Sequence, residues 1–186
     1  MELVSNLKKY ESSSKENYVW NNTVLKIGPE WSLEAGVRRM QPHINESINI
    51  IKELINQGKL SKDFVAVELF SGDACAMYGI KKAFPESKCL SLDMIYHPIW
   101  EEIKAIQSNH FFSQADFYKL YTDGFKFDCD LALTFNTYRG WENSVGPLKH
   151  LGIPLTHFEY WLKRNFKFSI VDGRDGTKAQ LLKYEY

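Results

Sequence analysis

Residues Val65–Asp93 read V-A-V-E-L-F-S-G-D-A-C-A-M-Y-G-I-K-K-A-F-P-E-S-K-C-L-S-L-D. An apolar, β-rich run, Phe64–Phe70, carries Glu68 near its end and is too short for a typical helix. A tight turn follows at Gly72, flanked by the small residues Ala74 and Ala76. Ala74–Phe84 has helical character and stops before Pro85, and Lys88–Asp93 is a second apolar run ending in an acid. Strand, Gly-containing turn, helix and strand in this order make the opening βαβ unit of a nucleotide-type cofactor site.

The flanking sequence extends the alternation. Upstream, Ile44, Ile48, Ile51 and Ile55 recur at helical spacing with Leu54 beside them, Pro42 suits a first helical position and Gly58 a stop. Downstream, Pro98 opens a helix bearing Ile99, Ile103 and Ile106. Phe111–Ala115, Phe127–Phe135 and Phe166–Val171 read as strands, and Ala179–Tyr186 as a last, weakly alternating one. Pro147–Gly152 is irregular or a single helical turn, and Thr156 with Glu159 spells a capping box. The expected fold is α/β, a mostly parallel Rossmann-like sheet with helices on both faces. Right-handed crossovers then place the strand ends after Glu68, Asp93, Ala115, Phe135 and Val171 on one rim, where ligands of such sheets bind.

Residues 1–40 are polar and then aromatic (Tyr18, Trp20, Trp31), with a short strand at Thr23–Ile27 broken by Gly28-Pro29. They read as an arm or lid on a domain spanning 41–186. Only fifteen residues follow Val171, so the sheet is expected to be C-terminally shortened, or its missing edge filled by the arm.

At 186 residues the chain is long enough for one substantial core. Lys plus Arg equals Asp plus Glu, 23 each, which excludes a global basic footprint for nucleic acid. The three cysteines, Cys75, Cys89 and Cys129, form no C-x-x-C pair and read as buried thiols of a reducing compartment. With no secretory or membrane-spanning apolar run, the expected location is cytoplasmic. The five histidines have no metal spacing and read as surface or cap residues, and no metal site is expected.

The loop chemistry narrows the ligand. Phe70, Gly72 and Ala74 occupy a G-x-G-x-G-like frame, and helix-start N–H groups beside it would favour a polar or negative group. Yet Glu68, two positions ahead, would repel a pyrophosphate and suits a ligand with an ammonium group.

This pattern resembles the class I S-adenosylmethionine-dependent methyltransferases, whose first motif is an acid followed by a Gly-rich loop. The form E-L-F-S-G is similar to the D-L-F-S-G or D-P-F-x-G of DNA methyltransferases, and the resemblance covers roughly Phe64–Asp175. It implies S-adenosyl-L-methionine as cofactor. Glu68 and the loop Phe70, Gly72, Asp73 and Ala74 would hold its methionine part, Asp93 with neighbouring Met94 its ribose, and Asp116 with Phe117 its adenine. At the fourth strand end, amino-directed DNA enzymes carry [DNS]-P-P-[FYW]. This chain has Asn136-Thr137-Tyr138-Arg139, lacking both prolines and a cysteine nucleophile. Asn136 and Tyr138 are the candidate catalytic residues, with His150 and His157 as further candidates for orientation or base, and Asp172 and Arg174 as secondary rim candidates. The expected activity is methyl transfer to a small-molecule or other compact acceptor. The alternatives are a nucleic-acid-directed methyltransferase and a non-catalytic methyltransferase-like binding or partner protein.

Overall fold

The computed structural model describes residues 2–12, 32–137, 146–173 and 176–183, and the backbone of 18–20 and 23–25. A short helix α1 (Glu2–Leu7) runs into a 3-10 turn (Lys8–Tyr10), and β1 (Tyr18–Trp20) pairs antiparallel with β2 (Thr23–Leu25). The remaining elements are α2 (Leu33–Asn56), β3 (Val65–Leu69), α3 (Cys75–Ala83), β4 (Lys88–Asp93), α4 (Ile99–Ile106), β5 (His110–Gln114), α5 (Phe117–Thr122), β6 (Cys129–Thr134), α6 (Pro147–His150), α7 (Leu155–Asn165), β7 (Phe166–Asp172) and β8 (Ala179–Leu181).

The expected α/β Rossmann-like sheet is present. Six strands lie in the order β5-β4-β3-β6-β7-β8, all parallel except β8, which pairs antiparallel with β7. The chain leaves β3 toward β4 and β5, then returns to lay β6 on the other side of β3. The switch point of the sheet is therefore between β3 and β6, at their C-terminal ends.

Strand alternation sorts the core into two layers. Val67, Leu69, Leu90, Leu92 and Ala132 face α1, α5 and α7, where they meet Leu7, Phe117, Leu120, Phe158 and Trp161. Ala66, Cys89, Leu131 and Leu133 face α2 and α3, against Met40, Ile44, Ile51, Met77 and Ile80. A third cluster joins the start of α2 to α3 and α4 through Leu33, Cys75, Ile99, Trp100 and Ile103.

Two helix starts differ from the sequence expectation. α2 begins at Leu33, not at Pro42. Ser32 caps it by accepting the Ala35 N–H, and Pro42 lies inside the helix. Buried Leu33, Gly36 and Met40 continue the inward face of Ile44, Ser47, Ile51 and Leu54, so burial carries the helix through the proline. A boundary at residue 40 thus falls within α2. The capping box at Thr156 and Glu159 does not form: α7 starts at Leu155 with Pro154 in the cap position, which puts Thr156 inside the first turn.

The N-terminal segment lies along β5. Glu11 bridges Ala115, and Tyr10 O accepts the Asp116 N–H at 2.9 Å. The opposite edge is closed from far away in sequence, where Glu46 of α2 accepts the N–H groups of Lys178 and Ala179, both at 2.6 Å. No helix among the described residues is long and apolar enough to cross a membrane. Ile27, Trp31 and the side chains of Tyr18 and Trp20 lie outside what is described.

Gly36 lets α2 press on the loop after β3. A Cβ there would sit 2.3 Å from Cys75 Sγ and 3.1 Å from Asp73 Oδ2. Gly36→Ala should therefore lower unfolding free energy by about 1–3 kcal/mol through overpacking, read as a reduced urea midpoint at unchanged slope.

Candidate functional site

The loop between β3 and α3 occupies the switch point. Phe70, Gly72 and Ala74 all have left-handed backbone, with φ of 55°, 53° and 60°. Glycine reaches this region freely, whereas a residue with a side chain is strained there by about 1–2 kcal/mol. The G-x-G-x-G-like frame read from the sequence thus corresponds to three alternate left-handed residues, two of them not glycine.

The loop is held from four sides. Asp93, at the end of β4, accepts the Gly72 N–H at 2.8 Å through Oδ2 and the Ile95 N–H at 3.1 Å through Oδ1. Leu92 O accepts the Ser71 N–H at 3.0 Å. The Trp100 indole of α4 donates to Gly72 O at 2.9 Å. Arg39 of α2 pairs with Asp73, whose other oxygen accepts the Cys75 N–H at 3.0 Å. Phe70 turns its ring into the core, 4.6 Å between centroids from Phe117 and 6.2 Å from Phe158.

These bonds correct the expectation of exposed N–H groups at the helix start. The N–H groups of Ser71, Gly72, Ala74 and Cys75 are all paired within the protein. Four of the N–H groups that an anion cradle would use are therefore engaged, and three acids, Glu68, Asp73 and Asp93, crowd the loop, with Arg39 paired to Asp73.

Glu68 is buried on the α2 and α3 face, one residue from the end of β3. Burial, with the nearby charges of Asp73 and Asp93, pushes its carboxyl up to about 8. Ser91 is its register partner on β4, and the Ser91 hydroxyl lies 3.0 Å from Glu68 Oε2.

The other expected residues fall as follows. Met94 is exposed beside Asp93. Asp116 follows β5 and caps α5, accepting the Tyr118 and Lys119 N–H groups. Phe117 is buried in an aromatic cluster with Phe70, Phe158 and Trp161, so its ring meets the loop through Phe70. Asn136 follows β6 in left-handed conformation, φ 54°. Its N–H, at 2.8 Å, and that of Thr137, at 3.4 Å, donate to the Asp172 carboxylate at the end of β7. Burial raises the Asp172 carboxyl above its ordinary range while those two bonds oppose the rise. Tyr138, Arg139 and Arg174 lie outside the described residues.

His150 and His157 are exposed. His157 lines a cleft of about 450 Å³ between α5 and α7, with Tyr121, Phe125, Trp161 and Arg164, to which the Gly72 loop contributes nothing. His97 and His110 are buried, not at the surface as expected, and His110 is held neutral with its imidazole pushed down to about 3 by burial and by Lys81. All three cysteines are free and buried.

Arg39, Trp100, Ser91 and His110 are the site-related residues that sequence reasoning missed. The first two reach the loop across 34 and 28 residues of sequence. Ser91 had a signal, as a polar residue between Leu90 and Leu92 within a strand, whereas His110 opens β5 directly after Asn109 and does not stand out.

No protein-family model matches the chain, and no curated protein matches it in sequence. Solved structures are similar to it. An O-methyltransferase family protein from Burkholderia thailandensis is 9% identical over 75% of this chain and 39% of its own, with a TM-score of 0.44. Human N-acetylserotonin methyltransferase, in complex with SAM, is 13% identical over 91% of this chain and 47% of its own, with a TM-score of 0.40. A SAM-dependent methyltransferase from Aquifex aeolicus is 15% identical over 67% of this chain and 66% of its own, with a TM-score of 0.41. The chain spans half or less of the length of the first solved structures it matches.

Proposed function

We propose that the chain binds S-adenosyl-L-methionine at the β3–β6 switch point and transfers its methyl group to a small-molecule or other compact acceptor. The observation that carries this reading is the loop itself. Three alternate left-handed residues stand between two acids, Glu68 and Asp93, with the N–H groups of Ser71, Gly72, Ala74 and Cys75 already paired. A phosphate ligand would meet three acids and four N–H groups already engaged, whereas a cofactor bearing an ammonium and a ribose diol finds carboxyl acceptors.

Asp93 has both oxygens engaged by backbone N–H groups, which fix its carboxylate at the end of β4. That carboxylate, an acceptor-only group at the second strand end, is the one proposed for the ribose hydroxyls. Met94 beside it, and Asp116 at the next strand end, are the proposed neighbours of ribose and base, with Phe70 and Phe117 as the apolar floor. Methyl transfer from a sulfonium depends chiefly on holding donor and acceptor in line. Asn136, just after β6, and Tyr138, two positions on in sequence, are the residues proposed to orient the acceptor. Asp172 holds that strand exit in place through the Asn136 and Thr137 N–H groups.

Calorimetry with S-adenosylmethionine and S-adenosylhomocysteine tests the cofactor reading. Wild type should bind both. Asp93→Ala should weaken binding by about 10–100-fold, the equivalent of about 1.5–3 kcal/mol for hydrogen bonds to a charged group. Gly72→Val should abolish it, because a β-branched residue does not adopt the backbone found at position 72. Absence of binding to wild type defeats the assignment.

Asn136→Gly separates chemistry from folding, since glycine accepts the left-handed backbone without strain. Unfolding free energy should stay within about 0.5 kcal/mol of wild type. The rate of methyl transfer to a small-molecule acceptor should fall by about 100-fold with cofactor KM unchanged. An unchanged rate removes Asn136 from the mechanism.

A further inference from the structure

Behind the loop runs a buried chain of polar groups that crosses three parallel strands on the α2 and α3 face. Glu68 Oε2 lies 3.0 Å from Ser91 Oγ, and Ser91 Oγ lies 2.9 Å from His110 Nε2. His110 Nδ1 lies 2.6 Å from Gln107 Oε1, and Gln107 Nε2 donates to the Tyr78 carbonyl at 3.1 Å. Ser91 is wholly buried, and Glu68 and His110 nearly so.

The hydrogens along this chain can be assigned from its far end. The Tyr78 carbonyl only accepts, so Gln107 must present its NH₂ group there and its oxygen to His110. That oxygen only accepts, so His110 carries its proton on Nδ1 and leaves Nε2 as a lone pair. Burial and the Lys81 charge keep the ring from taking a second proton. Nε2 then needs the Ser91 hydroxyl hydrogen, and a serine has just one. Ser91 consequently meets Glu68 with a lone pair, and a carboxylate at 3.0 Å from it would be a second acceptor facing an acceptor. A protonated Glu68 resolves the conflict: its O–H donates to Ser91, and the carboxyl still accepts the Met77 N–H.

We propose that Ser91 and His110 are positioning residues that hold Glu68 as a neutral hydrogen-bond donor, so that a cationic group reaching Glu68 is admitted with release of a proton. The identity of that cation, the cofactor ammonium, rests on the function proposed above; the assignment of the proton does not. The surrounding charges act in the same direction. Asp73 from the loop and Asp93 from β4 face Glu68, with Arg39 of α2 engaged by Asp73, and the thiols of Cys75 and Cys89 are uncharged neighbours. Lys81 of α3 faces His110. On arrival of an ammonium, the Glu68 O–H bond breaks and its proton leaves to solvent. The Ser91 hydroxyl turns to donate to the new carboxylate, and the His110 lone pair loses its donor. The chain therefore resists ionisation of Glu68 from both ends.

Carbon-detected NMR of the ligand-free protein with ¹³C-carboxyl-labelled glutamate, assigned with Glu68→Gln, reads the proton directly. The Glu68 carboxyl should titrate with a midpoint of about 8 or above. His110→Phe keeps a ring stacked on Phe112, now 4.5 Å away between centroids, and returns the Ser91 hydrogen to Glu68. Its midpoint should fall by about one pH unit or more. Where His110→Phe fails to fold, Gln107→Met decides. It frees His110 to take the other tautomer, and the midpoint should fall likewise. A wild-type midpoint in the ordinary glutamate range, about 4.3, or midpoints unmoved in the folded variants, overturns the proposal. Calorimetry of S-adenosylmethionine at pH 7 in buffers of different ionisation enthalpy should show close to one proton released by wild type and less by the variants. Binding without proton release overturns the proposal. Failure of wild type to bind overturns the cofactor reading alone, and the titration still decides the proton.

Discussion

The rim of this sheet depends on one strained stretch of backbone, Phe70 to Ala74, being held in a shape its own residues do not favour. Left-handed conformation at Phe70 and Ala74 costs about 1–2 kcal/mol each, and such strain persists where surrounding structure over-determines it. Here the determinants come from β4, α4, α2 and the aromatic cluster. Asp93 fixes Gly72 by its N–H and Trp100 fixes it by its carbonyl, so both ends of one peptide-forming residue are gripped from different elements. Arg39 and the packing of Phe70 then fix the residues on either side. A charge-assisted hydrogen bond contributes about 1.5–3 kcal/mol, enough to offset one such strained residue.

The second half of the rim follows the same logic with different residues. Asn136 turns left-handed as the chain leaves β6, and the Asp172 carboxylate at the end of β7 gathers the two N–H groups exposed by that turn. In both halves a carboxylate ending one strand clamps the loop leaving its neighbour. Parallel registry makes this arrangement natural, because adjacent strand ends arrive at the same height.

The parts of the site that were legible in the sequence are those governed by local chain geometry. The strand–turn–helix around Gly72, the acids at Glu68, Asp93 and Asp116, and the order of the strands all follow from short-range pattern. The start of α2 was hidden because Pro42 fits a first helical turn as well as it tolerates an interior position, and tertiary burial of Leu33, Gly36 and Met40 chose between them. Arg39 and Trp100 were not legible, since their roles come from how α2 and α4 dock. Ser91 occupies an intermediate place. Strands buried on both faces lose the alternation that would show which side a residue takes, so a serine between two leucines within β4 gives notice of a partner without saying which, and that partner, His110, sits among other polar residues of β5 and its approach.

The bond from Glu46 to the start of β8 bears on how the chain is made as well as how it rests. Its two ends are separated by 132 residues, so closing it encloses nearly the whole sheet within one loop. During synthesis the parallel strands from β5 to β7 emerge before the N–H groups of Lys178 and Ala179 exist to meet that carboxylate. Until then β7 is an uncovered edge of the kind other chains add to. The antiparallel strand is therefore the element whose late arrival converts an open, association-prone sheet into a finished one.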